Sequence, residues 1–143
     1  MRKILVAVDG SDLCLRGIKL VLGLREQFKN PEGLEIHLLN VQPSLPSDVT
    51  RFVANEEVKS FHQDEAVKEL EAARALLDRA GVRYEVHISV GEPADTICRF
   101  AKENGFDQIV MGTHGRSGVS GMLLGSVASK TLAESPVPVL VAK

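Results

Sequence analysis

The sequence predicts a doubly wound α/β domain, in which a parallel β-sheet carries helices on both faces. Short apolar runs rich in β-branched residues alternate with longer segments of helical periodicity, in the order β-α-β-α-β-α-β-α-β. Strands that alternate with helices of this length are joined by right-handed crossovers in a parallel sheet. The length of 143 residues suits one domain, covering residues 1–143.

Five strands are predicted, each bounded by turn-forming residues. Four are short apolar runs, which are typical of strands buried on both faces. They cover Ile4 to Val8, Ile36 to Val41, Ile109 to Met111 and Val137 to Ala142. The segment from Val82 to Val90 instead alternates strictly between apolar and polar residues. One partly solvated face suits a strand at the edge of the sheet.

Helical periodicity predicts four helices between these strands. The first begins near Ser11 and the second spans about Glu56 to Ala80, with Gly81 beyond it as a C-cap. The apolar faces of these two helices carry Leu15, Ile18 and Leu22, and Val58, Phe61, Val67, Leu70, Ala73, Leu77 and Ala80.

The third helix opens with Pro93 and stops at Gly105, and its apolar face carries Ile97, Phe100 and Ala101. The fourth helix starts at Ser126. Residues 43–57, PSLPSDVTRFVANEE, are interpreted as a long loop that runs into the second helix.

The composition argues against several classes of function. A formal net charge of −2 with 4% aromatic residues lacks both the basic excess and the stacking surfaces of nucleic-acid binders. The apolar run Ile4 to Val8 is shorter than the core of a signal peptide or a membrane span. Cys14 and Cys98 lie in predicted helices and are interpreted as core residues, not as a disulfide. We therefore expect a soluble cytoplasmic protein without nucleic-acid or membrane partners.

The most informative segment is MGTHGRSGVSGMLLGS, residues 111–126, which places five glycines between a predicted strand and a predicted helix. Bare backbone at Gly112, Gly115 and Gly125 allows main-chain N–H groups to approach phosphate oxygens. Ser126 adds a hydroxyl and the unpaired amides of a helix N-terminus, and Arg116 adds a charge. Neither the P-loop nor the dinucleotide fingerprint is present. Spacing alone leaves open phosphate binding and a Gly/Ser loop without a ligand.

The pattern G-x2-G-x9-G-[ST], formed by Gly112, Gly115, Gly125 and Ser126, resembles the nucleotide-binding branch of the universal stress protein family. The likeness extends over essentially the whole chain, because KILVAVDGS near the start and SPVPVLVAK at the end also match. The resemblance implies a Rossmann-like, five-stranded parallel sheet of order 3-2-1-4-5, ATP as the ligand and a homodimer.

The resemblance also implies roles for individual residues. Ala7, Val8 and Asp9 would line the adenine and ribose side, with Asp9 accepting hydrogen bonds from the ribose hydroxyls. Val41 would meet adenine through its backbone, and Met111 would pack near the base. The residues that would hold the phosphates are Gly112, Gly115, Gly125, Ser126 and Val127, with Arg116 where many members have lysine and Ala128 where some have a phosphate-binding threonine.

Several of these residues have a second interpretation. Asp9 precedes Gly10 and Ser11, so it also suits a turn or a helix cap. His114 is interpreted as a hydrogen-bonded structural histidine, with a catalytic acid or base as the alternative.

The remaining features bear on metal binding and on association between copies of the chain. Because His37, His62 and His87 have no metal-ligand spacing along the chain, no transition-metal site is expected from protein side chains; Mg²⁺ would accompany the nucleotide phosphates.

The strand Val137 to Ala142 is expected at a sheet edge, where pairing with a twofold mate would cover it, although helices on both faces also explain its apolar run. The loop at residues 43–55 is a candidate lid over the adenine.

Three classes of function remain open. The first and preferred one is an ATP-binding, nucleotide-responsive regulator read by a partner such as a transporter or a stress-response component. The second is an enzyme that consumes ATP, as a slow hydrolase or as an adenylyl or phosphoryl transferase. Asp9, His114 and Arg116 are few groups for efficient turnover. The third is a ligand-free dimeric scaffold.

Overall fold

The computed structural model describes residues 2–115 and 124–143, which form a doubly wound α/β fold. The strands are β1 (Arg2–Ala7), β2 (Leu34–Gln42), β3 (Glu85–Val90), β4 (Gln108–Gly112) and β5 (Val139–Ala142). The helices are α1 (Asp12–Glu26), α2 (Ser47–Thr50), α3 (Asn55–Arg79), α4 (Pro93–Glu103) and α5 (Ser126–Glu134), with a 3₁₀ turn at Pro31–Gly33. All pairings are parallel and the order is β3-β2-β1-β4-β5, which confirms the predicted fold class and strand order.

The central strand β1 separates two apolar layers. Ile4 and Val6 face a core built with α1 and α3, whereas Leu5 faces a second core built with α4. Successive side chains of a strand point to opposite faces, so three consecutive fully buried residues require a covering layer on each side. The helices on both faces therefore follow from the continuous apolar run.

Side-chain caps fix where two of the helices begin. The Ser11 hydroxyl accepts a hydrogen bond from the Cys14 amide at 3.3 Å, and this caps α1. The Glu92 carboxylate accepts from the amides of Ala94 and Asp95 at 3.3 and 2.7 Å, ahead of Pro93 in the first turn of α4. Each cap satisfies amides that have no partner inside the helix.

The predicted apolar face of α3 is wrong at Phe61 and Val67, which are 48% and 54% exposed. The buried stripe instead contains His62, Ala66, Glu69, Leu70, Ala73 and Leu77. At 3.6 residues per turn, Phe61 and Val67 lie more than about 100° from the centre of that stripe. Polar His62 and Glu69 belong to the buried stripe, so polarity alone misassigns the face.

Several boundaries also differ from the prediction, including that of β5, which begins at Val139 and not at Val137. The segment interpreted as a continuous loop contains the four-residue helix α2. The strand predicted from Val82 begins only at Glu85, and its apolar residues Ile88 and Val90 are 36% and 48% exposed. Helix α3 covers little of this edge strand, so the apolar face formed by alternate residues of β3 remains partly exposed.

The predicted edge strands and the burial of both cysteines are confirmed. Strands β3 and β5 are the two sheet edges. Cys14 and Cys98 are buried and form no disulfide. None of the helices within residues 2–115 and 124–143 is long and apolar enough to cross a membrane.

Candidate functional site

A cavity of about 240 Å³ lies at the carboxyl ends of the central strands. Its position is the point between β1 and β4 where the strand order reverses, which is where open α/β sheets bind ligands. The residues that line it are Ala7, Val8, Asp9, Ser11, Cys14, Leu39, Val41, Pro43, Glu69, Pro93, Ile97, Met111, Gly112, His114, Gly115, Val127 and Ala128.

Most of the predicted site residues meet in this cavity. Those that line it are Ala7, Val8, Asp9, Val41, Met111, Gly112, Gly115 and Val127. Gly125 and Ser126 are not among its described lining residues and instead begin α5 beside it. Arg116 lies outside the described residues. The structure thus brings together segments from β1, β2, β4 and α5 that are distant in sequence.

Asp9 holds the turn between β1 and α1 with one carboxylate oxygen. Its Oδ1 accepts hydrogen bonds from the Ser11 amide, at 3.0 Å, and from the Ser11 hydroxyl, which in turn caps α1. Its other oxygen, Oδ2, lies directly beside Gly115. The turn role and a ligand role for Asp9 are therefore compatible, because they use different oxygens.

Two glycines of the motif are required by close packing between protein groups. A methyl group on Gly112 would lie 2.8 Å from Leu13 Cβ and 2.9 Å from the Leu13 carbonyl carbon. One on Gly115 would lie 2.7 Å from Asp9 Oδ2. Gly112 therefore lets α1 pack directly on the end of β4, and Gly115 leaves room for the Asp9 carboxylate.

The amide of Gly125 is engaged within the protein. It donates to the Thr113 carbonyl oxygen at 2.6 Å, and the Thr113 amide donates to Ala142 O at 3.0 Å. The expectation that the Gly125 amide meets a phosphate is thus not supported by this hydrogen bond. Gly125 instead joins the two ends of the glycine-rich segment and places Ser126 at the start of α5.

The N-terminus of α5 offers donors for an anion. Gly125 occupies the N-cap position, and no described side chain caps this helix. The first amides of a helix have no partner within it, and the helix dipole is positive at this end. Val127, in this first turn, lines the cavity.

The polar backbone groups of Val41 face the cavity, beyond the last paired residues of β1 and β2. The pairing between β1 and β2 ends at Ala7 and Leu39, with one further bond from Val8 N–H to Leu39 O at 2.9 Å. Alternate residues of a strand direct their N–H and C=O groups to the same side. Val41 therefore points its polar backbone groups in the direction of β1, past its last paired residue.

A buried polar network behind the cavity was not anticipated from the sequence. Asn40 Nδ2 donates to Val8 O at 2.8 Å and to Glu69 Oε2 at 2.7 Å, and Gln42 Nε2 donates to Glu69 Oε2 at 3.0 Å. All three side chains are at least nine-tenths buried. The available signal was the pair of amide residues within an otherwise apolar strand, together with a glutamate in the sheet-facing stripe of α3.

His114 and Cys14 complete the wall of the cavity. His114 Nδ1 lies 3.2 Å from Thr113 Oγ1, whereas its Nε2 is buried and has no hydrogen-bond partner among the described residues. Burial raises the pKa of the Cys14 thiol above its ordinary value, so the thiol stays protonated. The cavity thus combines an apolar wall, a carboxylate, a strand backbone and the positive end of a helix.

Comparison with known proteins identifies the family. The universal stress protein family matches residues 1–143. Universal stress protein MJ0531 of Methanocaldococcus jannaschii is 32% identical over 99% of this chain and 82% of its own length. The solved structure of MJ0577, from the same organism, is similar with a TM-score of 0.80 and 31% identity, covering 99% of this chain and 95% of the other.

A universal stress protein from Archaeoglobus fulgidus, solved in complex with dAMP, gives a TM-score of 0.70 at 25% identity. That likeness covers 100% of this chain and 98% of the other. The family match, the relatives over the full chain and the shared fold agree with one another. The chain therefore belongs to the universal stress protein family.

Proposed function

We propose that this protein is a nucleotide-responsive regulator that binds ATP at the cavity between β1 and β4. The observation that carries the proposal is the convergence of Asp9, the Val41 backbone and the N-terminus of α5 on one cavity at the topological switch point. The dAMP complex of the Archaeoglobus fulgidus relative supports an adenine nucleotide as the class of ligand.

The residues present fit the parts of such a ligand. Leu39, Ile97 and Met111 supply an apolar wall for the base, and the polar backbone of Val41 faces the same space. Asp9 Oδ2 is an acceptor for ribose hydroxyls. The cavity volume is below the roughly 300–1,000 Å³ typical of small-molecule sites, so the base and ribose occupy it and the phosphates extend toward α5.

At the phosphate end, the amides of Ser126 and Val127 and the Ser126 hydroxyl are the proposed donors, with Arg116 as a further charge. Mg²⁺ would be held between phosphate oxygens and water, as is usual for this ion. Bound nucleotide would tie β1, β4 and α5 together. This link gives a partner protein, such as a transporter or a stress regulator in the cytoplasm, a state to recognise.

The edge strand β5 is the proposed homodimer contact. Val139, Leu140 and Val141 are only partly buried, and no described strand covers their outer edge. Pairing with the same strand of a second copy would satisfy these backbone groups, as edge strands commonly require.

The loop at residues 43–55 is proposed as a lid, because Pro43 lines the cavity and His62 Nε2 lies 3.1 Å from the Pro43 carbonyl. Closure over a bound base would slow amide hydrogen exchange in this segment when ATP is added. Unchanged exchange across residues 43–55 at saturating ATP would remove the lid from the proposal.

A charge placed at the start of α5 tests the ATP site. Ser126 is exposed, and glutamate is favourable in a first helical turn, so Ser126→Glu is expected to fold with unchanged or higher stability. Its carboxylate would repel phosphates and weaken ATP binding by at least about tenfold, equivalent to about 1.4 kcal/mol. Ser126→Gln is the matched control for size without charge.

Calorimetric titrations with ATP and with adenosine separate the two parts of the site. We expect Ser126→Glu to lose ATP affinity while keeping adenosine affinity, and Ser126→Gln to keep most of both. Equal ATP affinity in the wild type and Ser126→Glu would exclude phosphate binding at α5. Absence of binding by the wild type would favour the ligand-free scaffold.

Slow ATP hydrolysis is a second candidate, favoured by the buried Nε2 of His114 in the cavity wall, which has no hydrogen-bond partner within residues 2–115 and 124–143. A neutral imidazole nitrogen so placed is able to accept a proton from an attacking water. If His114 acts in this way, His114→Gln lowers phosphate release while ATP affinity is retained. An unchanged rate would assign any turnover to another group.

A further inference from the structure

A second group of functional side chains lies on β2 and β3, away from the cavity. The strand register pairs His37 with Glu85 and Leu39 with His87. Because side chains of a strand alternate between faces, Glu35, His37, Glu85 and His87 all project from the face that α4 covers. His37 precedes Val41 by four residues, or about 13 Å along the strand, so this group lies at the opposite end of the sheet from the proposed nucleotide site.

Three of these side chains converge on one point. His37 Nδ1 lies 2.8 Å from His87 Nε2 and 3.5 Å from Glu85 Oε2, and His87 Nε2 lies 3.9 Å from the same Glu85 oxygen. Ligands about 2.0–2.1 Å from a tetrahedral ion are separated by about 3.3–3.4 Å. The two histidine nitrogens are closer than that value and their ring planes lie within 6° of parallel, so an ion is seated only when the rings separate and turn and Glu85 moves closer.

The fourth side chain orients the buried histidine. Glu35 Oε2 lies 3.1 Å from His37 Nε2, and since an ionised carboxylate only accepts, Nε2 carries the proton. This tautomer leaves Nδ1 of His37 without a proton, facing His87 Nε2 at 2.8 Å. A carboxylate bonded to the far nitrogen of a ligating histidine is the usual outer-shell arrangement of protein metal sites.

Both rings are held by aromatic packing. His37 meets Phe106 edge to face with ring centroids 4.8 Å apart, and His87 lies 4.9 Å from Phe100. His37 is 6% exposed, whereas Glu85 is on the surface. A cleft of about 690 Å³ lined by Glu35, His37 and Glu85 connects the group to solvent. An ion can therefore enter, and one coordination position remains for water.

The local charges favour a cation. Glu35 and Glu85 supply two carboxylates, and neutral imidazoles with carboxylates suit Zn²⁺ and related ions. Among the residues that the structure describes, three cations lie nearby. Arg25 and Arg83 line the cleft, with Arg25 paired to Glu32 at 3.0 Å. Lys3 Nζ donates to Asn104 O at 2.7 Å and lies over the Phe106 ring, 4.6 Å from its centroid, while its charge acts on His87 against the attraction of Glu85.

We propose that His37, Glu85 and His87 form a binding site for one divalent transition-metal ion of the Zn²⁺ class, with Glu35 as a positioning residue. In the metal-free protein, His87 Nε2–H donates to His37 Nδ1. On binding, that proton moves to His87 Nδ1 and both facing nitrogens become ligands. The expectation of no transition-metal site considered spacing along the chain, whereas the strand register creates this spacing in the sheet.

The test is calorimetric titration of ZnCl₂ into the purified, chelator-treated full chain without nucleotide. We expect one ion per chain, with affinity reduced at least about tenfold in His87→Gln and in Glu85→Gln. Both residues are on or near the surface, so these variants avoid the folding risk of altering buried His37. Glu71→Gln is the matched control for Glu85→Gln, because it removes an exposed carboxylate outside the group and is expected to bind like the wild type.

Glu35→Gln separates orientation from ligation. It keeps all three ligands, so one ion should still bind, with an affinity about 10–100-fold weaker. Replacing Zn²⁺ by Co²⁺ should produce the visible absorption of a low-coordinate N/O site, and His87→Gln should lose it. Absence of saturable Zn²⁺ binding, or equal affinity in the wild type, His87→Gln and Glu85→Gln, would overturn the proposal. Neither result depends on whether ATP binds.

Discussion

Gly115 and Asp9 face each other so closely that a methyl group on Gly115 would lie 2.7 Å from Asp9 Oδ2. Gly115→Ala would therefore displace the carboxylate that is proposed to meet the ribose, although a side-chain end can move without disturbing the backbone. We expect weaker ATP binding with nearly unchanged stability. Calorimetry and urea unfolding check the two parts.

The control for Gly115→Ala is Gly23→Ala. A methyl group on Gly23 meets no atom within 4 Å, and Gly23 lies in α1. Alanine there should stabilise the protein by up to about 1 kcal/mol and leave ATP affinity unchanged. Full ATP affinity in Gly115→Ala would contradict a ribose-binding role for the Asp9 carboxylate in its present position.

Gly112→Ala is expected to affect folding more than Gly115→Ala does. The added methyl would meet Leu13 Cβ, C and O at 2.8–3.1 Å, and two of these are backbone atoms that cannot rotate away. We expect a loss of about 1–3 kcal/mol in the free energy of unfolding, as for other overpacked sites. Urea unfolding that matches the wild type would show that α1 can shift away from β4.

Asn40→Ala is expected to destabilise the wall of the cavity. Asn40 is 0% exposed and its Nδ2 group serves both Val8 O and Glu69. Removing this donor from buried acceptors costs about 1–3 kcal/mol. Asn30→Ala, at an exposed position without a side-chain cap, should change stability by less than about 0.5 kcal/mol. Thermal unfolding of both variants makes the comparison, and equal effects would contradict the role of the network.

Glu92 is expected to make stability depend on acid. The Asp95 amide, followed by Lys130 at 3.3 Å, holds the pKa of Glu92 below its ordinary value of 4.5. A lowered folded-state pKa means that the stabilisation is present above pH 4.5 and is lost as the pH falls through the folded value. At pH 7, Glu92→Gln should lose about 0.5–1 kcal/mol, the lower part of the range for an N-cap because this side chain is half exposed.

The difference between the wild type and Glu92→Gln should decrease on acidification below pH 4.5, as followed by urea unfolding between pH 7 and pH 3. Glu71→Gln removes an exposed carboxylate from the middle of α3 and is expected to show little pH-dependent difference. A constant difference between the wild type and Glu92→Gln at every pH would show that the charge of Glu92 is not what caps α4.

The sequence predicts the fold well where one physical signal dominates. Short apolar runs identify β1, β2 and β4, and Pro93 and Ser126 mark the first residues of α4 and α5. The face of α3 is not predictable in the same way, because His62 and Glu69 are buried through hydrogen bonds to partners distant in sequence. Polarity by itself carries no information about such partners.

The candidate site shows the same division. Asp9, Val41 and Gly115, which the resemblance assigns to one site, all line the same cavity. The hydrogen bond of the Gly125 amide depends on how the chain returns to Thr113. The contact between His37 and His87 depends on the register of β2 and β3. These relationships arise only when residues far apart in sequence are placed in three dimensions.

The most direct test of the central claim is to identify what the purified protein carries and binds. The protein is isolated without added nucleotide, denatured, and the released small molecules are separated by chromatography. Ligand-stripped protein is then titrated with ATP and Mg²⁺. We predict released adenine nucleotide, or micromolar ATP binding corresponding to roughly −8 kcal/mol. No released nucleotide and no binding heat at several temperatures would contradict the claim and leave the cavity as part of a ligand-free scaffold.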